Sequence, residues 1–542
     1  MGYYLSKKKV RGRIYWYAQR NVWTPKGSRV AEQIYLGSAD MILKAMKGGG
    51  TVSLKTYRFG RIAAILSAAE DLGLRCIVER TIDKRKGYGF EELMLLVPTG
   101  KFEHRTSKLD IVDWYSRSYL VHYFDLPNKI SEETIYRMMD KTDYKVQEKI
   151  GEELAKRLTG FGISPSIIVV DTTNFATNIE HGEEIPQKGH SKEGKNEQNL
   201  IGFALAITPQ NIPFIWNTYE GCKNDAKIFP DTVNAIVERL KKLRIKTEDI
   251  VLVFDRGNNS KKNVDLATIK MHVIGGLKRS QAKNLYDIPV IDMEFLYETS
   301  KENKIFGYKT RGMFFGREFT CVVTYNEASM LRQSREFEKQ KRRIVEKLTG
   351  IDKSLERKGR GRKLSVTGAL RKANDSIHKN FRSLVKMWVS AGKFYWKWND
   401  EKEESIKKTF GKQVLFTDLH DWSAKETAIT YNRKSLIESD FKMMRNSLVF
   451  SIPPMNHRKD GRIRSHVFLC LLGIFLYRYA LWKTRHLGIT EDKFLDALDE
   501  IQVSLMSDGK ARRAHWVVNQ MDATQASIFT ALNMERFLPK DR

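Results

Sequence analysis

Two apolar runs, Ser166-Ile-Ile-Val-Val-Asp171 and Ile250-Val-Leu-Val-Phe-Asp255, each close on an aspartate. Runs of this composition and length read as buried strands. A carboxylate at the end of such a strand is costly to desolvate, so it is kept for a purpose, most commonly to bind a hard cation. A third acid, Glu438, lies far downstream in a helical stretch with Tyr431, Lys434 and Arg445. Three carboxylates carried by two strands and a helix can hold two Mg2+ ions, the arrangement that phosphoryl-transfer sites use.

The flanking pattern supplies a frame for these acids. Strand 166–171 precedes a polar loop, Asn174 to Asn196. Strands Leu200–Ile207 and Ile212–Asn217 follow, joined by Thr208-Pro-Gln-Asn211. A helix is predicted over about 225–243, then strand 250–255, a helix from Ser260 and strand His272–Leu277. The order β-β-β-α-β-α-β lets a crossover bring the second aspartate strand parallel to the first, with Asp171 and Asp255 side by side.

The rest of the chain divides around this segment. Residues 1–105 are expected to form a basic β-hairpin and α+β region that binds DNA. Lys9 to Arg20 and Val30 to Leu36 would be its strands, with a turn at Pro25-Lys26-Gly27. Residues 58–80 begin helical and turn apolar at Cys76-Ile-Val. Residues 106–160 read as a helical connector, Asp110–Phe124 and Ser131–Leu158, with Ser131 a good helix start. The core runs 161–280 and resumes at 413–490, with Val414–Thr417 a core strand and a helix starting near Ser423. Between them, 281–412 reads as an inserted domain: a hairpin from Ile305 to Tyr325 bending near Gly312, a charged helix Glu327–Arg357, a cationic linker Lys358–Lys363, a helix Val366–Val389 and a strand at Phe394–Trp398. Residues 491–542 read as a helical tail.

Charge narrows the partner. The 542 residues hold 94 Lys and Arg against 65 Asp and Glu, a net +29, with a pI near 9.7. Such an excess points to a polyanion, nucleic acid first. Basic residues crowd between Lys339 and Lys363, as on a surface that tracks phosphates. The four cysteines form no CxxC pair, which argues against a zinc knuckle or disulfide framework and suits a reducing cytosol. The start, Met1-Gly-Tyr-Tyr-Leu-Ser-Lys-Lys-Lys, lacks the apolar segment of a signal peptide. The longest apolar run, Val467 to Trp482, is interrupted by Arg478 and reads as a buried core helix rather than a membrane span.

At about 100° per residue, Tyr431, Lys434, Glu438, Lys442 and Arg445 share one stripe of a helix, with Leu436, Ile437, Met443 and Met444 opposite. The pattern Tyr431-x2-Lys434-x3-Glu438-x6-Arg445 resembles the Tyr-Arg-Glu-Lys signature of insertion-sequence DDE transposases, of the insertion-sequence-four superfamily type. Val170-Asp171-Thr-Thr173, Gly189-His-Ser-Lys192, Phe254-Asp255-Arg-Gly257 with Ser260, and Arg462-Ile-Arg-Ser-His466 resemble further segments of that family, in order and over nearly the whole chain. Two positions depart from it: Lys434 stands for the family's arginine and Arg445 for its lysine, so charge is kept while fork geometry changes.

The resemblance implies an α/β fold: an RNase H-like core of mixed sheet and flanking helices, with an inserted domain and the N-terminal α+β region. It implies that Asp171, Asp255 and Glu438 are both catalytic and metal-binding, holding two Mg2+ ions for which Mn2+ can substitute. Tyr431, Lys434, Lys442, Arg445, His190, Lys192 and Arg256 are then expected to contact DNA, with Tyr431 at a phosphate rather than acting as a nucleophile. The implied activity is cut-and-paste transposition: cleavage at transposon ends and transfer of the freed 3′-OH into target DNA. The implied partners are terminal inverted repeats, target DNA and a second copy of the chain in a synaptic dimer, with no membrane, in prokaryotic cytoplasm at the nucleoid. An aromatic near Trp396 and Trp398 is expected to hold a flipped base. Two other readings stand beside this one: a nuclease of the same fold without strand transfer, and an inactive DNA-binding remnant.

Overall fold

The structure, a computed structural model, describes residues 3–10, 13–24, 27–47, 52–82, 88–103, 108–299, 302–356, 364–445, 449–508 and 514–538. It is a mixed α/β protein that divides into two compact units, one of residues 1–250 with 434–542 and one of residues 251–433. The expected turn at Pro25-Lys26 and the cationic linker Lys358–Lys363 lie outside the described residues.

In the first unit, strand Asn199–Ile207 is nearly wholly buried. It pairs antiparallel with Ile167–Thr177 along one edge and with Pro213–Glu220 and the short Gln187–Lys188 along the other. The turn to Pro213–Glu220 closes where Thr208 N donates to the Ile212 carbonyl at 2.9 Å, with Asn211 in the left-handed region. Helices Glu132–Lys141 and Tyr144–Gly160 are started by Ser131 and Asp143, whose side chains accept from backbone amides of the first turn. One long helix was expected there; the residues between, Thr142 and Asp143, divide it in two.

Helix Asp460–Lys483 is buried around its whole circumference from Val467 to Ala480. It packs on helices Gly60–Asp71, Phe90–Glu103, Glu132–Lys141 and Tyr144–Gly160 and on strand Pro213–Glu220. It is long and apolar enough to cross a membrane, but its most apolar stretch is 89% buried inside the protein. That makes it the core helix expected from the sequence.

The N-terminal region holds more strands than expected. Tyr4–Val10, Arg13–Thr24 and Gly27–Ser38 form an antiparallel sheet in that order, and Ala39–Lys47 is a helix. Residues 58–80, expected to begin helical and turn apolar at Cys76-Ile-Val, are helical in Gly60–Asp71 and Leu74–Thr81. The C-terminal tail is not purely helical. Its strand Gln502–Asp508 pairs with both Ala514–Val518 and Val52–Arg58, so the end of the chain closes a small sheet with its beginning.

In the second unit a mixed sheet runs in the order Glu294–Glu298, Lys304–Phe314, Arg317–Asn326, Lys412–Thr417, His272–Leu277, Val251–Phe254. The last two strands are parallel and the others antiparallel. The segment expected as an inserted domain from 281 is therefore not set apart: its first three strands extend the sheet. Only the later part, from Phe337 to Trp398, builds a core of its own, around Leu348, Ala373, Leu384 and Phe394. The hairpin bends at Phe315 and Gly316, both with positive φ, rather than at Gly312. The expected helix Val366–Val389 ends at Ser376, and Val385–Ser390 is instead a strand paired with Lys393–Trp398.

Candidate functional site

Asp171 does not end its strand. Ile167–Thr177 continues six residues beyond it, because Thr172 to Thr177 pair with Ala204 to Asn199. Asp171 is half-buried, and its Oδ1 accepts from the Thr172 amide at 2.8 Å. Side chains alternate along a strand, so Asp171 and Thr173 project to one face and Thr172 to the other.

Helix Lys434–Arg445 lies against the Asp171–Thr173 face. Arg445 Nη2 donates to Thr173 Oγ1, and Phe441 meets Phe203 with ring centroids 6.4 Å apart. Phe203 is the pairing partner of Thr173 on the neighbouring strand. Glu438, Phe441 and Arg445 are spaced three and four residues apart, on one side of the helix. Glu438 thus shares a side of the helix with residues that meet the Asp171 strand and its neighbour, and it is solvent-exposed. Arg445 Nε also pairs with Glu193 Oε1 at 3.1 Å, so its guanidinium is engaged within the protein. Lys442 is exposed and Lys434 half-buried.

The far side of the helix holds a group that the sequence reading passed over. Asp440, fully buried, accepts from Arg478 Nη2 at 2.6 Å and Nε at 3.0 Å, and Arg478 Nη1 pairs with Glu491 at 3.0 Å. Burial opposes charge on Arg478, but Asp440 and Glu491 outweigh it and raise its pKa. Two signals pointed here: an acid on the apolar side of the Glu438 helix, and the arginine that interrupts the apolar run from Val467.

The loop after the Asp171 strand is pinned back onto it. Asn174 Nδ2 donates to the His190 carbonyl at 2.9 Å, and its Oδ1 accepts from the Lys192 amide at 3.0 Å. Lys192, expected on DNA, turns inward: Nζ donates to the Thr172 carbonyl at 2.6 Å and pairs with Asp225 at 2.8 Å. Asp225 exerts this hold from the first turn of helix Asp225–Lys242. His190 remains exposed.

In the second unit Asp255 follows strand Val251–Phe254 directly, as expected. Tyr431 Oη lies 3.3 Å from Asp255 Oδ1. Tyr431 is 3% exposed, so it faces the aspartate from inside rather than standing ready for a phosphate. It belongs to helix Ala424–Asn432, which has a capping box at Ser423 and Glu426, whereas Glu438 belongs to Lys434–Arg445. The single helical stripe expected from Tyr431 to Arg445 is therefore interrupted at Arg433. Gly276 makes room for the phenol, since a Cβ there would fall 2.8 Å from Tyr431 Oη. Arg256 is exposed and lies beside the Tyr286 hydroxyl.

Trp398 is a core residue, its Nε1 donating to Glu403 Oε2 at 2.6 Å, and Trp396 packs partly buried on the same cluster. His466 is fully buried, its Nε2 2.8 Å from the Ile452 carbonyl.

Carboxylate oxygens suit a hard cation, but among the described residues no three His, Cys, Asp or Glu side chains gather closely enough to hold one. No protein-family model matches this chain, and no curated protein matches it significantly.

Proposed function

We propose that this chain is a DNA transposase that cleaves at the ends of an insertion sequence and joins the freed 3′-OH to target DNA, on an RNase H-like core. The observation that supports the reading is the packing of the helix that carries Glu438 on the strand that carries Asp171, through the Arg445 contact to Thr173. The antiparallel run Ile167–Thr177, Asn199–Ile207, Pro213–Glu220 followed by helix Asp225–Lys242 is consistent with the first half of such a core. Net charge of +29 suits a DNA partner. The proposal requires Asp255 to join the other two acids, and it includes a dependence on Mg2+ or Mn2+, which would stabilise charge on the scissile phosphate when bound. A synaptic dimer and a place at the prokaryotic nucleoid belong to the same reading.

The test uses the full chain with labelled duplex from the DNA flanking its gene, a supercoiled target plasmid and Mg2+ or Mn2+. Joined products that vanish in Asp171→Asn, Asp255→Asn and Glu438→Gln, with end binding retained, support transposition. Cuts without joining identify a nuclease. Binding with neither product, in either metal, leaves a DNA-binding remnant and overturns the proposal.

A further inference from the structure

The N-terminal sheet carries three clustered tyrosines, Tyr15 and Tyr17 half-buried and Tyr35 exposed. Tyr17 and Tyr35 are direct cross-strand partners, with ring centroids 5.3 Å apart, and Tyr15 lies 5.9 Å from Tyr35. Because alternate residues share a face, Tyr15 and Tyr17 project together. Lys8 on the neighbouring strand, paired with Tyr15, places Nζ 5.2 Å from the Tyr17 ring centre and donates to Gln33 Oε1 at 3.0 Å. One face thus presents three phenol rings bordered by a cation and an amide. Tyr35 is 52% exposed, far more than an aromatic that serves a hydrophobic core.

Charge says what would cover this face. On this face Lys8 and Arg13 meet no acid among the described residues of the three strands, whereas Glu32 stands opposite Arg20 on the other face. A protein partner with an apolar surface would meet this excess unpaired, whereas a polyanion with flat aromatic faces matches both features. In a duplex those faces are hidden in the base stack; in a single strand they are free to lie on tyrosine rings.

We propose that the Tyr15, Tyr17 and Tyr35 face of the N-terminal sheet is a stacking platform for the unpaired bases of single-stranded DNA. Only the choice of DNA over RNA rests on the function proposed above.

The test measures fluorescence anisotropy of the full chain with a labelled mixed-sequence single strand of roughly 16 nucleotides, beside its duplex and its RNA counterpart. Tyr17→Ala and Tyr35→Ala are each expected to weaken single-strand binding about five-fold or more, with duplex binding unchanged and Tyr→Phe variants binding as the parent. Equal loss for duplex, or no loss for the single strand, overturns the platform; tighter binding of the RNA overturns the choice of DNA. The unaltered protein supplies a second readout that needs no variant: photo-crosslinks from a bromodeoxyuridine-substituted single strand map to Tyr15, Tyr17 or Tyr35, and their absence from all three overturns the proposal. Strand-transfer activity is read in a separate assay, so failure of either proposal leaves the other to be judged alone.

Discussion

Arg478 holds the fully buried carboxylate of Asp440 with two nitrogens, at 2.6 and 3.0 Å. This ties the Glu438 helix to the core helix Asp460–Lys483. Removing one member of a buried pair strands the other without compensation, at a cost of about 3–5 kcal/mol. Arg478→Met is therefore expected to lower the free energy of unfolding by about that much, measured by urea denaturation. Arg478→Met with Asp440→Leu should recover most of the loss, because the uncompensated charge is gone.

Glu403 makes a pH-dependent contribution in the second unit. Burial alone would raise its carboxyl, but hydrogen bonds from Lys341, Lys407 and Trp398 bring it down to about 2. A carboxyl depressed in the folded state stabilises at pH above its unfolded value near 4.5. That contribution fades as pH falls toward 2. The melting temperature of Glu403→Gln is expected to lie below that of the parent at pH 6, with the gap closing as pH drops from 5 toward 2.

The strands that could be read in advance were those whose apolar residues run unbroken: Asn199–Ile207, Val251–Phe254 and His272–Leu277. Asp171 looked terminal because Thr172, Thr173 and Asn174 are polar. They continue the strand because a buried neighbour, Leu200 to Leu205, supplies their hydrogen bonds, and pairing of that kind leaves no local trace. The sheet joining Val52–Arg58 to Gln502–Asp508 was equally hidden, since its partners are separated by almost the full chain. In the candidate site, residue types were legible but engagement was not. Lys192 and Arg445 read as free cations, and what holds them is Asp225 and Glu193, acids in unremarked loop and helix-start positions. Tyr431 was legible as part of the expected stripe, whereas its burial beside Asp255 was not, and no Gly or Pro announces the helix break at Arg433.

Gly276 sets the position of the Tyr431 phenol. An added methyl would fall 2.8 Å from Tyr431 Oη and 3.4 Å from Arg256 Cβ. Gly276→Ala should therefore push the phenol away from Asp255, at an overpacking cost of about 1–3 kcal/mol. Tyr431→Phe removes the hydroxyl and keeps the ring, so its loss should be smaller, about 0.5–1.5 kcal/mol. Urea denaturation checks the order, and the strand-cleavage assay should show both variants impaired if the phenol positions Asp255.

Glu193 and a DNA phosphate would compete for the same guanidinium. Arg445 is expected from the family resemblance to contact DNA, yet its Nε is 3.1 Å from Glu193 Oε1, with Glu193 20% and Arg445 28% exposed. An ion pair this open to solvent contributes about 0.2–1 kcal/mol. Glu193→Gln should release Arg445 and raise affinity for end DNA by about two- to five-fold at low salt. It should also steepen the dependence of binding on salt, because one more phosphate contact releases one more counterion. Arg445→Gln should abolish that gain when combined with Glu193→Gln. If Glu193→Gln leaves both affinity and salt slope unchanged, Arg445 is a structural brace between Thr173 and the Glu193 loop, and the DNA contact expected of it lies elsewhere. Anisotropy titrations of the two single variants and the double variant, over a range of salt, separate these outcomes.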